Sequence, residues 1–337
     1  MTRSAQSRLR LLVIGVGSIG ERHLRCVQNL ERCDLAFCEP HAELREEISD
    51  RYNVEETYAE LESAMENHFD VAIIAAPAHL HVSMAQTLAD HGIHMLIEKP
   101  LSLSMDGIEQ LQTTVARHGI ISAVGFSHRA NPLVTDMREF VQSGKLGRIV
   151  EMRIVCGHHF PTHRPAYADV YFNDYKTGGG AINDMIPHLY NAGEWLAGPI
   201  TKIVVDADHL RLDRVTVEDT VNALARHDDV MATYATDLHQ PSYELTIHLV
   251  CENGECRVDY HMNRWAWMDE PEGTWTEGAE KMSLERDDMF MSQDARFLDA
   301  VDGKGEVLCT LDEGIQTLKT TLASHESWRD GKWVEIG

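Results

Sequence analysis

Arg10-Leu11-Leu12-Val13-Ile14-Gly15-Val16-Gly17-Ser18-Ile19-Gly20-Glu21-Arg22-His23-Leu24-Arg25-Cys26-Val27 is the stretch whose reading decides the fold. The run Arg10–Ile14 is short, apolar and unbroken, as a strand buried on both faces should be. Residues from Glu21 onward have helical apolar spacing. Between them stands Gly-x-Gly-x-x-Gly, the turn that admits a pyrophosphate: Gly15 for the tight bend, Gly17 for close approach of the backbone, Gly20 for helix–strand packing. The helix start, with Ser18 and Ile19, offers unpaired N–H groups and a partial positive charge to phosphate oxygens. This pattern alone is weak, but here the strand before it and the helix after it are both present.

Working outward, Leu35–Cys38 reads as the next strand and ends at Glu39, nineteen residues after Gly20. An acid at this offset accepts hydrogen bonds from the adenosine ribose hydroxyls and repels a 2′-phosphate. NAD is therefore favoured over NADP. No arginine adjoins Glu39 in the chain to welcome an extra phosphate. Asp70–Ala75 is a further strand, followed by Ala76-Pro77-Ala78-His79-Leu80-His81 and a helical stretch to His91. His94–Ile97 leads into Glu98-Lys99-Pro100, then come a helix from about Met105 to His118 and the run Ile121–Phe126. Strands alternating with helices imply a doubly wound parallel sheet. Ligands of such sheets bind beyond the carboxyl ends of the strands, so Gly15, Ala76, Pro77, His81, Glu98 and Lys99 are expected to line one cofactor crevice.

Lys99 draws attention for its place. A lysine at the end of a buried strand loses part of its hydration, and the proline after it stops the strand. Standing alone it reads as a surface lysine; beside a nicotinamide it reads as a group that exchanges a proton with a substrate hydroxyl.

After Phe126 the pattern changes. A helix from about Pro132 to Ser143 is followed by strand candidates at Ile149–Cys156, Ile203–Ala207, Thr220–Arg226, Val230–Thr236, Glu244–Val250 and Gly254–Tyr260. Helices near Asp294–Val301 and Asp312–Arg329 and a short strand at Trp333–Ile336 close the chain. The expected fold is a Rossmann dinucleotide-binding domain over residues 1–127, joined to an α+β domain on a largely antiparallel open sheet over 128–337. The chemistry of this second half gathers in Gly178-Gly179-Gly180-Ala181-Ile182-Asn183-Asp184-Met185-Ile186-Pro187-His188. If Ala181 onward is helical, Asp184 and His188 share one face. They read either as a structural pair or as a carboxylate tuning a general base. The glycines suggest close approach of backbone to a ligand or to the other domain.

These motifs together resemble the glucose-fructose oxidoreductase and inositol dehydrogenase (Gfo/Idh/MocA) family. The resemblance runs from about Arg8 to Ile336 and includes Val124-Gly125-Phe126 with Arg129 and Pro132, Gly144-Lys145-Leu146-Gly147, and Gly331-Lys332. It implies an NAD(P)-dependent oxidoreductase that moves a hydride between nicotinamide and a hydroxyl of a sugar, cyclitol or sugar derivative. It further implies that Lys99 and His188 flank the reacting carbinol and that Asp184 positions substrate, with Arg129 also on the substrate side. A homodimer or homotetramer formed through the second sheet is implied too. Two departures stand out: Asn191 where relatives often carry an acid, and Pro187 directly before the histidine.

The loop between Cys156 and Gly178 carries His158, His159, His163, Arg164, Tyr167, Tyr171 and Lys176, a mixture suited to a sugar or an anionic group. His159, Arg164 and Tyr167 are taken from it as substrate contacts. No compact ligand spacing supports a metal centre. Trp265, Trp267 and Trp275 read as padding for a subunit interface.

The chain's 337 residues and 43% hydrophobic content suit two buried cores. A net charge of −24 argues against nucleic acid and anionic membranes as partners. No run approaches a membrane helix, the polar N-terminus does not read as a secretory signal, and seven scattered cysteines suit a reduced cytoplasmic protein. Two other readings remain: a glycoside hydrolase that retains NAD and oxidises the sugar transiently, and a non-catalytic sugar- or NAD-binding protein.

Overall fold

Unbroken apolar runs build the first sheet. A computed structural model describes residues 8–169, 171–278, 285 and 287–337. Six parallel strands stand in the order β3-β2-β1-β4-β5-β6: β1 Leu9–Ile14, β2 Cys33–Cys38, β3 Thr57–Tyr58, β4 Val71–Ile74, β5 His94–Glu98 and β6 Ser122–Gly125. Every residue of β4 is buried, and so is all of β1 except Arg10, because helices cover both faces of a parallel sheet. The helix Ser18–Leu30 follows β1 at once. A Cβ at residue 20 would fall 1.8 Å from the Gly15 carbonyl oxygen, so only glycine lets helix and strand meet this closely.

The second sheet alternates instead. Its order is β14-β13-β12-β11-β7-β10-β9-β8-β15, from β7 Ile149–Gly157, β8 Lys202–Asp208, β9 Thr220–His227, β10 Val230–Asp237, β11 Glu244–Cys251, β12 Gly254–Asp259, β13 Arg264–Met268, β14 Thr276–Glu277 and β15 Val334–Glu335. All its pairings are antiparallel except that of β7 with β10. Burial in β9 changes residue by residue, as expected of a sheet with one covered face. The inner face packs on the helix Ile186–Ala197, which buries Ile186, Leu189 and Tyr190.

The chain forms two compact units, and their border differs from a single crossing after residue 127. One unit holds the described residues to Ser127 together with Glu285–Gly314; the other runs from His128 and takes back Ile315–Gly337. The return has a physical cause. The helix Asp288–Val301 buries Phe297 and Leu298 in the core of the first sheet, and Arg32 pairs with Asp299 and Asp302. Among the described residues no helix is long and apolar enough to cross a membrane.

The tryptophans also depart from expectation. Trp265 and Trp267 lie on β13 beneath Phe140 of the helix Pro132–Gln142, with ring centroids 5.4 and 5.1 Å away. Trp265 is buried and Trp267 half-buried against their own chain, whereas Trp275 is exposed.

A polar line crosses the second core. Arg129 Nε donates to Asn191 Oδ1 at 2.7 Å, Asn191 Nδ2 to Thr317 Oγ1 at 3.0 Å, and Thr317 to Glu194 at 2.6 Å. Asn191 can both accept from the guanidinium and donate onward, which an ionised acid cannot do. Glu194 ends the line, and the Arg129 charge acts on it from the other end. Burial pushes the Glu194 carboxyl up to about 7, against the hydroxyls of Thr317 and Thr320, the Gln316 amide and the Arg129 charge, which pull it down.

Two of these contacts can be tested through stability. Gly20→Ala forces a clash with the Gly15 carbonyl and should cost on the order of 1–3 kcal/mol. Gly17→Ala, whose Cβ would meet nothing within 4 Å, should melt within a few degrees of wild type; equal melting temperatures for both variants would contradict the packing. Glu194 holds its proton more tightly folded than unfolded, so wild-type stability declines as pH rises from the ordinary glutamate range to about 7 and levels off above. Glu194→Gln lacks that slope. Its stability should gain on wild type across this window, by about 1.4 kcal/mol for each tenfold difference in proton affinity between the folded and unfolded chain. A gap independent of pH would show that Glu194 is ionised throughout.

Candidate functional site

In the first unit the candidate residues gather around the turn after β1. The helix Ser18–Leu30 starts at Gly17 with no side-chain cap, which leaves its first amides to be satisfied from outside. Gly17 and Ser18 are exposed, Ile19 is half-buried, and the space where a Cβ of Gly17 would point is open. Gly15, at φ +83°, takes a conformation that side chains rarely adopt; a Cβ there would lie 2.9 Å from the Ala75 carbonyl oxygen. This is a cradle of unpaired donors at a helix N-terminus, and it fits a pyrophosphate.

Glu39 lies beyond the end of β2 and is buried. Its carboxylate accepts from the amide of Val16 at 3.1 Å and from that of His41 at 3.1 Å. Each oxygen keeps a lone pair for a ribose hydroxyl. No arginine adjoins Glu39 in the chain, but one comes near it in the fold. Arg45, one turn into the helix Ala42–Tyr52, donates to the Glu39 carbonyl at 2.6 Å. Sequence proximity misses it because a helical turn folds it back.

Ala76 and Pro77 follow β4 and are partly accessible. His81, expected among the cofactor contacts, is instead buried. Its ring nitrogens lie 2.9 Å from the Pro100 carbonyl oxygen and 2.7 Å from that of Ala76. It ties the turn after β4 to the turn after β5, where the Lys99–Pro100 bond is cis. Lys99 is half-buried at the carboxyl end of β5, and its amide donates to the Glu98 carboxylate at 3.2 Å. Glu98 itself is buried.

The second unit carries its own polar cluster, built after the glycine triplet. A Cβ at Gly179 would strike the Phe172 carbonyl oxygen at 2.2 Å, and one at Gly180 would strike Glu218 Oε1 at 2.5 Å. The glycines therefore admit the chain's own loop and Glu218 rather than a ligand. Glu218 Oε1 accepts from the amide of Ile182 at 2.8 Å and so anchors the start of the segment. Helix Ala181–Asp184 then breaks at Met185, and a second helix begins at Ile186. Pro187 falls in the first turn of that second helix, where a missing N–H costs nothing. Asp184 and His188 are thus on successive helices, not one continuous face. Asp184, buried, accepts from the Tyr171 hydroxyl at 3.0 Å. His188 is half-buried and meets His128 edge to face at 4.9 Å, and His128 reaches the Tyr260 hydroxyl at 3.2 Å.

Several expected substrate contacts are otherwise employed. Arg129 is 1% exposed and spent on Asn191 and the Trp195 ring. Tyr167 is buried among Phe160 and Phe172, its hydroxyl given to the Asp213 carbonyl at 2.6 Å. His159 lies 2.7 Å from the Thr162 hydroxyl in a short helical turn. Arg164 is half-buried, with its guanidinium 3.5 Å from the Tyr171 hydroxyl. His128 and Tyr260 are polar groups that sequence reasoning leaves out of the site, and it names Tyr171 only as a member of the loop. Their proximity to Asp184 and His188 arises from loop and sheet packing and carries no local signal.

Comparison with known proteins agrees with this architecture. A family described as "Oxidoreductase family, NAD-binding Rossmann fold" matches residues 9–126, and one described as "GFO/IDH/MocA C-terminal domain" matches residues 134–257. The myo-inositol dehydrogenase Hyg17 of Streptomyces leeuwenhoekii is 25% identical over 252 residues, 73% of this chain and 75% of that one. The uncharacterized oxidoreductase YrbE of Bacillus subtilis strain 168 is 21% identical over 336 residues, 96% of this chain and 95% of its own length. In fold, a levoglucosan dehydrogenase solved with NADH and levoglucosan superposes with a TM-score of 0.88 at 18% identity, over 98% of this chain and all 100% of the other. Two domain matches in order, a Rossmann sheet with its phosphate turn, and a mostly antiparallel second sheet together show that the chain belongs to the GFO/IDH/MocA family of NAD-binding oxidoreductases.

Proposed function

We propose that the protein is an NAD-dependent dehydrogenase acting on a hydroxyl of a sugar, a cyclitol or a derivative of one. The observation that carries this reading is Lys99, half-buried at the carboxyl end of β5 in the same sheet whose first turn leaves helix amides open to a dinucleotide. NAD, when bound, supplies a hydride acceptor. In this reading Gly15, Gly17, Ser18, Ile19 and Gly20 hold the pyrophosphate, Glu39 the ribose, and Ala76, Pro77 and Glu98 border the nicotinamide end. The Lys99 ammonium hydrogen-bonds the carbinol oxygen. His188 takes the hydroxyl proton as the carbon gives up its hydrogen with the electron pair, a task imidazole performs near neutral pH.

Asp184, steadied by Tyr171, accepts a hydrogen bond from a neighbouring hydroxyl, and Arg164 and His159 extend the polar surface. A ligand with several adjacent hydroxyls suits such a set. The names of the inositol- and levoglucosan-related proteins point the same way. The buried free cysteines suit a reducing compartment, and we place the enzyme in the cytoplasm. Exposed Leu224 and Met231 on β9 and β10 support self-association through the open face of the second sheet, as a dimer or tetramer.

A screen of inositols, aldoses, polyols and uronates with NAD, followed by NADH absorbance, tests the class. Release of product from glycosides without net NADH would favour the hydrolase reading instead. Lys99→Ala should lower turnover by at least ~10²-fold with little change in NAD affinity, and His188→Asn should remove an ionisation on which the oxidation rate depends. Near-normal turnover in Lys99→Ala, or an unaltered pH profile in His188→Asn, would end the corresponding role. Wild type should bind NAD more tightly than NADP. Glu39→Ala, with Arg45 already beside the site, should narrow that ratio; tighter NADP binding by wild type would overturn the assignment of Glu39.

A further inference from the structure

His23 is fully buried, three residues past Gly20, and is held between two acids. Its Nδ1 lies 2.9 and 3.1 Å from the two Asp294 oxygens, and its Nε2 lies 2.9 Å from Glu98 Oε1. The other Glu98 oxygen accepts from the Lys99 amide. A neutral imidazole has one N–H and would turn a lone pair toward one carboxylate. The cluster therefore holds a shared proton. Burial alone lowers the affinity of His23 for that proton, but the Asp294 and Glu98 carboxylates more than offset it and push the imidazole up to about 10. Phe290 closes the cluster edge to face at 5.3 Å, with the Arg22 guanidinium over its outer side. The room for Glu98 depends on a glycine: a Cβ at Gly125 would come 2.5 Å from Glu98 Oε1.

We propose that Asp294 and His23 are positioning residues: they hold the Glu98 carboxylate in one orientation beneath the Lys99 turn and so fix where the Lys99 amine stands. The proposal rests on the acid–base reading of Lys99. Holding the helix Asp288–Val301 in place does not explain the cluster, because Phe297 and Leu298 in the core and the Arg25–Asp287 and Arg32–Asp299 pairs already do that. Two buried acids and an imidazole are a costly substitute for apolar packing. What they add is direction. Both imidazole bonds have fixed geometry, and the line they form joins the phosphate-binding helix to the end of β5. Asp294 comes from a segment that rejoins the first unit after a long excursion through the second.

A double-mutant cycle on the full-length enzyme with NAD tests this. His23→Gln keeps bulk but cannot bridge two acids; turnover should fall by about 10²-fold, the scale of a misplaced reacting group, while the KM for NAD moves less than about threefold. In the Lys99→Ala background the same change should lose almost nothing further. Asp294→Asn, which preserves volume, should lower turnover in the same direction and serves if His23→Gln folds poorly. Unchanged turnover per folded molecule in both variants, or an equal loss with and without Lys99, would overturn the positioning role. Full activity in Lys99→Ala alone would instead reject the acid–base reading. Nitrogen-15 spectra of histidine-labelled protein without NAD give a readout apart from activity. His23 should keep both ring protons through pH 8, and an imidazole that loses one near its ordinary value would also overturn the proposal.

Discussion

The carbonyl of Gly15 occupies the place where a side chain of residue 20 would be. That one close approach fixes the angle at which the helix Ser18–Leu30 leaves β1, and much of the first unit depends on it. It aims the helix's uncapped amides past the end of the sheet. It also sets His23, one turn on, against the interior, within reach of Glu98 on β5. A phosphate cradle on the outside and a buried imidazole on the inside are two faces of the same helical turn, and neither survives a different helix angle.

The second unit solves a different problem, the placing of an imidazole on a helix that packs over a sheet. His188 sits at the start of Ile186–Ala197, whose apolar side is committed to the core. The polar side is held by the line from Arg129 through Asn191 and Thr317 to Glu194. The asparagine three residues after His188 accepts from Arg129 and passes a hydrogen bond on to Thr317. One helical turn along stands Glu194, in a cage of hydroxyls where burial weakens its ionisation. The break at Met185 separates Asp184 from this helix and leaves its carboxylate to the Tyr171 hydroxyl. Orientation of the acid comes from the loop before it, not from helical spacing.

Much is legible in the chain because periodicity and turn chemistry are local. Five to six apolar residues with no alternation demand cover on both faces, which a parallel sheet provides. A glycine turn between such a strand and a helix has few other solutions. The alternating strands of the second half likewise declare a sheet with one open face. Pro187 before His188 is out of place in a single continuous helix; with the helix split, proline stands where its lack of a donor is harmless.

Sequence by itself thus determined the two sheet types, the phosphate turn, the place of Lys99 at a strand end, and the family. Tertiary structure decided which polar side chains stay accessible and which are consumed inside. Arg129, Tyr167 and His81 carry the right chemistry for binding, yet each has its hydrogen-bonding groups bound to its own chain. Arg45 and Asp294 look unremarkable in the chain, yet folding brings them to Glu39 and His23. The physical reason is the range of the forces. Backbone preference and apolar burial act between near neighbours or over whole surfaces and leave a repeating trace in sequence. A hydrogen bond between side chains 271 positions apart leaves none.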